Sequence, residues 1–292
     1  MREALLVLLA VPLAALPAQR PDATFEWQKR TTAITYGAVP VGKHHLGELA
    51  VGQTWRLGNN LASTWQVEMP LLAGDAWIAP GQYRVSFVRV GDAQGALVAD
   101  GSGQALGGAD ARVGGEITEA GKASKKLAIE WQKEGKPADG NQTARVVVQF
   151  GPTQWRGEVL ALGHKEHKVG GARLTAFHVP AERVEQGQVP VATLARGKDA
   201  ETTWNLVLSG TTARLVPWMQ APTEQFGFGA VTPPEVAAEG TVTVQEEAAE
   251  AEQATFAVRE AKVQKDELRI VAAYGKKTIE IVVAMPKAPA SK

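Results

Sequence analysis

Cysteine is absent from this 292-residue chain. That excludes disulfides, thiolate chemistry, cysteine-ligated metals and a lipid-modified N-terminal cysteine. Net charge is absent too: 31 basic and 31 acidic residues cancel, so no charge excess marks a nucleic-acid or anionic-membrane partner. Long apolar runs are missing. The longest, Ala4 to Leu16, is about 13 residues against the roughly 20 that a membrane-spanning helix needs. Motifs that carry chemistry are missing as well. No serine sits in a Gly-x-Ser-x-Gly elbow, no glycine-rich phosphate loop occurs, and no His-Glu-x-x-His pair marks a metalloprotease. The sequence therefore predicts no cofactor.

What the N-terminus does contain is an export pattern. Met1-Arg2 is a short charged start, Ala4–Leu16 is apolar with Pro12 and Pro17, and Ala18 is a small residue suited to cleavage. This pattern predicts a signal peptide over residues 1–18 and a mature chain, free of membrane spans, in the periplasm or outside the cell.

Thirty glycines, sixteen prolines and 21% charged residues suit an all-β protein with many turns. Alternation supports that class. In Tyr83–Val88, Tyr83, Val85 and Phe87 share one face. In Ser63–Met69, Trp65, Val67 and Met69 alternate with Thr64, Gln66 and Glu68. Ala144–Phe150 and Leu268–Met285 are rich in branched residues. The expected fold is a β-sandwich-like arrangement of two β units in tandem, residues 19–162 and 163–286, with a tail over 287–292. Gly91 to Gly121 is rich in Gly, Ala and Asp and is expected to be an irregular excursion. Lys133–Asn141 is expected to be a polar hairpin loop.

One block stands apart. Tyr36, Leu46-Gly47-Glu48-Leu49, Trp55-Arg56-Leu57-Gly58-Asn59-Asn60-Leu61-Ala62-Ser63-Thr64 and Ala79-Pro80-Gly81-Gln82-Tyr83-Arg84-Val85 follow one another. Their order and spacing resemble the exported bacterial family called domain of unknown function 2911, over about residues 31–89. The chain departs from the family pattern at Gly37-Ala38-Val39, where the family has Ser-Arg-Pro, and at Leu61, where it usually has Glu. The family has no established activity, so the resemblance implies fold and export rather than a mechanism.

The candidate site residues come from this block. Trp55 lies beside Arg56 and a turn, and reads either as core or as a ligand-facing aromatic; Trp65 and Trp155 read as core. Arg56 either faces an anionic ligand or ties turn carbonyls with its five donors. The second reading is favoured, which leaves Trp55 and Asn60 to touch a partner. Ser102, between two glycines, reads as part of a flexible loop. For metal, His164, His167 and His178, with Glu166 as a base, would serve only if the three imidazoles converge. On a strand His164 and His167 point to opposite faces. The acidic residues Glu246, Glu247, Glu250 and Glu252 read as a solvated turn. The expected function is a non-catalytic binding or structural protein of the bacterial cell envelope. Its partner would be a small molecule, a glycan or an envelope protein. A secreted hydrolase, metal-dependent if those histidines meet, is the alternative.

Overall fold

The computed structural model describes residues 20–42, 45–58, 62–106, 108–196, 202–220, 235–245 and 252–286. The expected signal peptide, Asn60, most of the acidic turn and the C-terminal tail lie outside the described residues.

The chain is almost entirely β, in two antiparallel sheets, each nearly closed on itself, so the expected all-β tandem is what folds. The first unit is built from β1 (Asp22–Trp27), β2 (Arg30–Thr35), β3 (Thr54–Trp55), β4 (Thr64–Val67), β5 (Leu71–Ala73), β6 (Ala76–Ile78), β7 (Gly81–Gly91), β8 (Gln94–Asp100), β9 (Ala111–Glu119), β10 (Ala128–Ala138), β11 (Asn141–Phe150) and β12 (Thr153–Ala161). Its main order is β1-β2-β4-β7-β8-β9-β12-β11-β10. The second unit follows with β13 (His164–Val169), β14 (Ala172–Phe177), β15 (Val189–Arg196), β16 (Thr202–Ser209), β17 (Thr212–Pro217), β18 (Met219–Gln220), β19 (Ala238–Gln245), β20 (Gln253–Gln264), β21 (Glu267–Gly275) and β22 (Lys277–Ala284). Its order is β13-β14-β15-β16-β17-β19-β22-β21-β20. Strand β18 leaves that sheet and pairs in parallel with the start of β7 in the first unit, Met219 opposite Gly81.

Alternation explains the inward faces. Trp65, Tyr83 and Phe87 are fully buried, as are Val67 and Met69, while Gln66 between them is exposed. The Trp65 indole donates to the Thr32 hydroxyl at 2.7 Å and the Tyr83 hydroxyl to the Ala79 carbonyl at 2.7 Å, so both large rings keep a partner for their polar atom. Where β1 approaches β10, aromatic rings fill the seam: Phe25 and Trp131 lie 5.8 Å apart, and Trp131 and Trp65 5.9 Å. In the second unit the Phe256 amide donates to the Val179 carbonyl at 2.7 Å where β20 comes back to the first strands.

Residues 91–121 overturn the expected excursion. They form β8, the short helix α1 (Ser102–Leu106) and β9. The glycines that hid these strands are there for space. Trp155, fully buried on β12, lies across the sheet and donates its indole N–H to the Gly95 carbonyl at 3.0 Å. A Cβ at Gly95 would come within 2.4 Å of Phe87, one at Gly115 within 2.0 Å of the Arg156 carbonyl, and one at Gly157 within 2.4 Å of Trp155 itself. Glycine in a strand interior marks such close approach. Ser102 is buried in the short helix α1; its hydroxyl donates to the Ala99 carbonyl and accepts the Ala111 amide, both at 2.7 Å. The hairpin loop expected over 133–141 shrinks to an Asp139-Gly140 turn, with Pro137 in the stretch between Glu134 and Ala138 where the β10–β11 register shifts.

That turn sits at the junction of the two units. The Trp27 indole donates to the Gly140 carbonyl at 3.0 Å. Asn141 donates to the His178 carbonyl and accepts the Gly163 amide, each at 2.9 Å. Gln28, in the β1–β2 turn, accepts the His164 amide at 2.9 Å. On another side Asn205 of β16 donates to the Pro80 carbonyl at 2.9 Å, and Arg183 in the short helix α2 (Ala181–Val184) meets Asp75 at 2.5 Å. Strands β15 and β16 are therefore buried on both faces, one by their own core and one by the first unit.

Candidate functional site

The loop after β2 folds back over the end of β11 and leaves a cavity of about 370 Å³. It is lined by Val39, Leu46, Leu49, Trp55 and Phe150, with His45, Glu48 and Gln53 as its polar members. Trp55 reaches it because β3 pairs with β7, Trp55 opposite Phe87. The indole is half-buried and tilts against Phe150 with ring centres 4.9 Å apart. Leu46 is fully buried in a 3₁₀ turn, Leu46–Glu48, and anchors the loop to the core.

One arginine holds that loop. Arg89, near the end of β7, donates to four carbonyls: Gly47 at 2.6 Å, Leu49 at 2.7 Å, Asp92 at 2.8 Å and Gly91 at 3.0 Å. A guanidinium suits the task because its fork presents several donors in fixed directions. Among the described residues no hydrogen bond or ion pair of Arg56 is found, and Arg56 does not line the cavity. The carbonyls of residues 59–61, part of the turn that Arg56 is expected to tie, lie outside the described residues. Asn60 lies outside the described residues. The turn itself is constrained: Leu57 is fully buried with φ 48°, Gly58 has φ 141°, and a Cβ on Gly58 would stand 3.0 Å from the Gly37 amide nitrogen.

At the polar side of the cavity His45 Nε2 is 3.3 Å from Glu48 Oε1, and its Nδ1 is 3.4 Å from the Thr153 hydroxyl. The order hydroxyl, imidazole, carboxylate has the outline of a nucleophile, a base and an orienting acid. The hydroxyl is turned elsewhere, however: Thr153 is buried and donates to the Phe150 carbonyl at 3.3 Å.

The three histidines considered for metal are placed on and beside the first strand of the second unit. His164 and His167 lie on β13 and face opposite ways, and His178 follows β14 with its ring over Gly140. Among the described residues no group of three His, Cys, Asp or Glu is arranged to hold a metal ion. Burial pushes all three imidazoles toward the neutral form. His164 falls to about 4, with the Arg30 guanidinium adding to the effect, while for His167 and His178 the second cause is Lys165. Glu166, assigned above to a metal-site base, stands instead between two cations, 3.6 Å from Arg30 and 4.0 Å from Arg173.

His164 and Glu166 do belong to a concavity. A polar cleft of about 470 Å³ opens between the β1–β2 turn and the outer face of β13–β16, with Trp218 at one wall. Sequence reading missed it because its walls come from residues more than a hundred positions apart. A weak signal existed: Arg173 and Thr175 alternate with Leu174 and Ala176 on β14, which marks a polar face. The other cavity was half legible, since Trp55 was singled out but Phe150 and Leu49 were not.

No helix among the described residues is long and apolar enough to cross a membrane. Compared with protein-family models, curated proteins and solved structures, the chain matches none.

Proposed function

We propose that the chain is an exported, non-catalytic binding protein of the bacterial envelope whose ligand is a small, mainly apolar molecule seated against Trp55 and Phe150. The observation that carries this reading is the cavity itself. Its volume of about 370 Å³ falls within the range of small-molecule sites, and a mostly apolar lining with few polar groups is the usual composition of such sites. Trp55 supplies a flat wall, and the His45–Glu48 pair supplies one hydrogen-bonding edge. The charged start and apolar run at the N-terminus support export, as does the resemblance of residues 31–89 to an exported family.

Hydrolysis is the second reading, favoured among the described residues by the Thr153–His45–Glu48 alignment. With the Thr153 hydroxyl buried and donating to a carbonyl, that alignment lacks a nucleophile turned toward the cavity, so binding is the stronger reading. The test uses N-phenyl-1-naphthylamine, a neutral apolar dye, titrated into the purified chain. A saturable one-to-one fluorescence rise is expected, abolished by Leu49→Glu, which puts a charge on the wall. An equal rise in the variant would overturn the assignment of the cavity.

A further inference from the structure

The cleft between the two units has a composition unlike the Trp55 cavity. On the first unit Arg30 donates to the Glu68 carbonyl at 3.1 Å and, across the gap, to the Thr175 hydroxyl at 2.8 Å. On the second unit the wall is the polar face of three neighbouring strands. Thr175 lies beside Glu166 on one side and Thr193 on the other, and Arg173 beside Ala195. Trp218, half-buried, follows β17 and closes one end. Thr175 and Thr193 are almost fully buried, yet both line open space. These hydroxyls are therefore sequestered from bulk solvent without being packed away.

Polar atoms here lack partners among the described residues. Arg30 Nε and His164 Nδ1 are buried with no hydrogen bond. Leaving a buried donor or acceptor unmet costs on the order of 1–3 kcal/mol, so such groups are expected to meet water or a ligand.

The charges decide the ligand class. Lys29, Arg30 and Arg173 stand among Glu68 and Glu166, three cations with two carboxylates, and His164 stays neutral at physiological pH because burial and Arg30 push its pKa to about 4. An anion would meet two carboxylates, and a cation would meet three basic groups. A group that both donates and accepts meets no such conflict. Hydroxyls do both, and an indole face suits the C–H face of a sugar ring.

We propose that this cleft is a second binding site, separate from the Trp55 cavity, that takes a neutral saccharide of one or two rings. Trp218 stacks on the ring, while Glu166, Arg173 and the threonine hydroxyls bind its hydroxyl groups.

The test is a titration of the purified chain with maltose, cellobiose, N,N′-diacetylchitobiose and galacturonate, followed by saturation-transfer NMR. At least one of the three neutral disaccharides is expected to bind saturably below roughly 10 mM, with binding weakened about tenfold or more by both Trp218→Ala and Glu166→Gln. Trp55→Ala should leave that binding unchanged. The glutamate variant guards against a folding artefact: its side chain is half exposed and its ion pairs are long, so its loss costs little stability. The proposal is overturned by any of three results: no binding of the three neutral sugars in this range, tighter binding of galacturonate than of all three, or binding indifferent to Glu166→Gln. Loss of sugar binding in Trp55→Ala would also overturn it, by moving the sugar to the other cavity.

Discussion

Replacing Arg89 with alanine removes the group that holds the rim of the Trp55 cavity. Four carbonyl oxygens accept from this guanidinium at 2.6–3.0 Å. A hydrogen bond from a charged donor contributes about 1.5–3 kcal/mol, but four of them do not add. Arg89 is half-buried, and the freed carbonyls on its outer side regain water, as the exposed bond to Asp92 shows most clearly. The loss should therefore approximate one such bond, about 2 kcal/mol. For a chain of 292 residues, at about 2.1 cal/mol/K per residue, that is a fall in Tm of about 3 °C. Lysine cannot restore the loss, because a single ammonium lacks the fork that reaches Gly47, Leu49 and Gly91 together. Scanning calorimetry of wild type, Arg89→Ala and Arg89→Lys measures this directly. An alanine variant that melts within about 1 °C of wild type, or a lysine variant that recovers fully, would refute the role assigned to Arg89.

Three further outcomes are expected. Gly140→Ala should weaken the junction of the units by at least about 2 kcal/mol, since Gly140 has φ 80° and an added Cβ would stand 2.2 Å from His178 Nδ1; urea titration should show a lower midpoint. Burial raises the Asp100 carboxyl to about 6, partly opposed by the Ser86 hydroxyl. The folded chain thus holds that proton more tightly than the unfolded one, and stability is lost as pH rises from about 4 to 6. Asp100→Asn should raise Tm at pH 7.5, with the gain shrinking toward zero at pH 4. His164 has the opposite sign: its lowered pKa means stability complete above about pH 6.5 and lost as pH falls toward 4. His164→Gln should flatten that part of the pH profile, by a small amount because the residue is only partly buried.

The parts of the fold legible in the sequence were those where one strand face meets the core and the other meets water. Trp65 and Val67 were readable for that reason, with Gln66 between them in water. Strands β8 and β9 were not, because Gly95 and Gly115 yield their side-chain space to Phe87, Trp155 and the neighbouring backbone, which erases the alternation. In β15 both faces are buried, so Val189–Ala195 shows no period of two. Trp55 was legible as a candidate because it stood out locally beside a turn. Its partners were not: Phe150 reaches it from β11, and no local pattern encodes that contact. Arg56 and Arg89 show the same limit. Both flank turns in the same block, and only the pairing of β3 with β7 decides which one meets the loop carbonyls.

The claim that the Trp55–Phe150 cavity is a ligand site is tested most directly by the indole N–H resonances of the eight tryptophans, assigned by single Trp→Phe variants. During titration with N-phenyl-1-naphthylamine the Trp55 signal should shift saturably while the buried Trp155 signal stays in place. A Trp55 signal that does not move, or a shift that is largest at a tryptophan outside the cavity, would contradict the account.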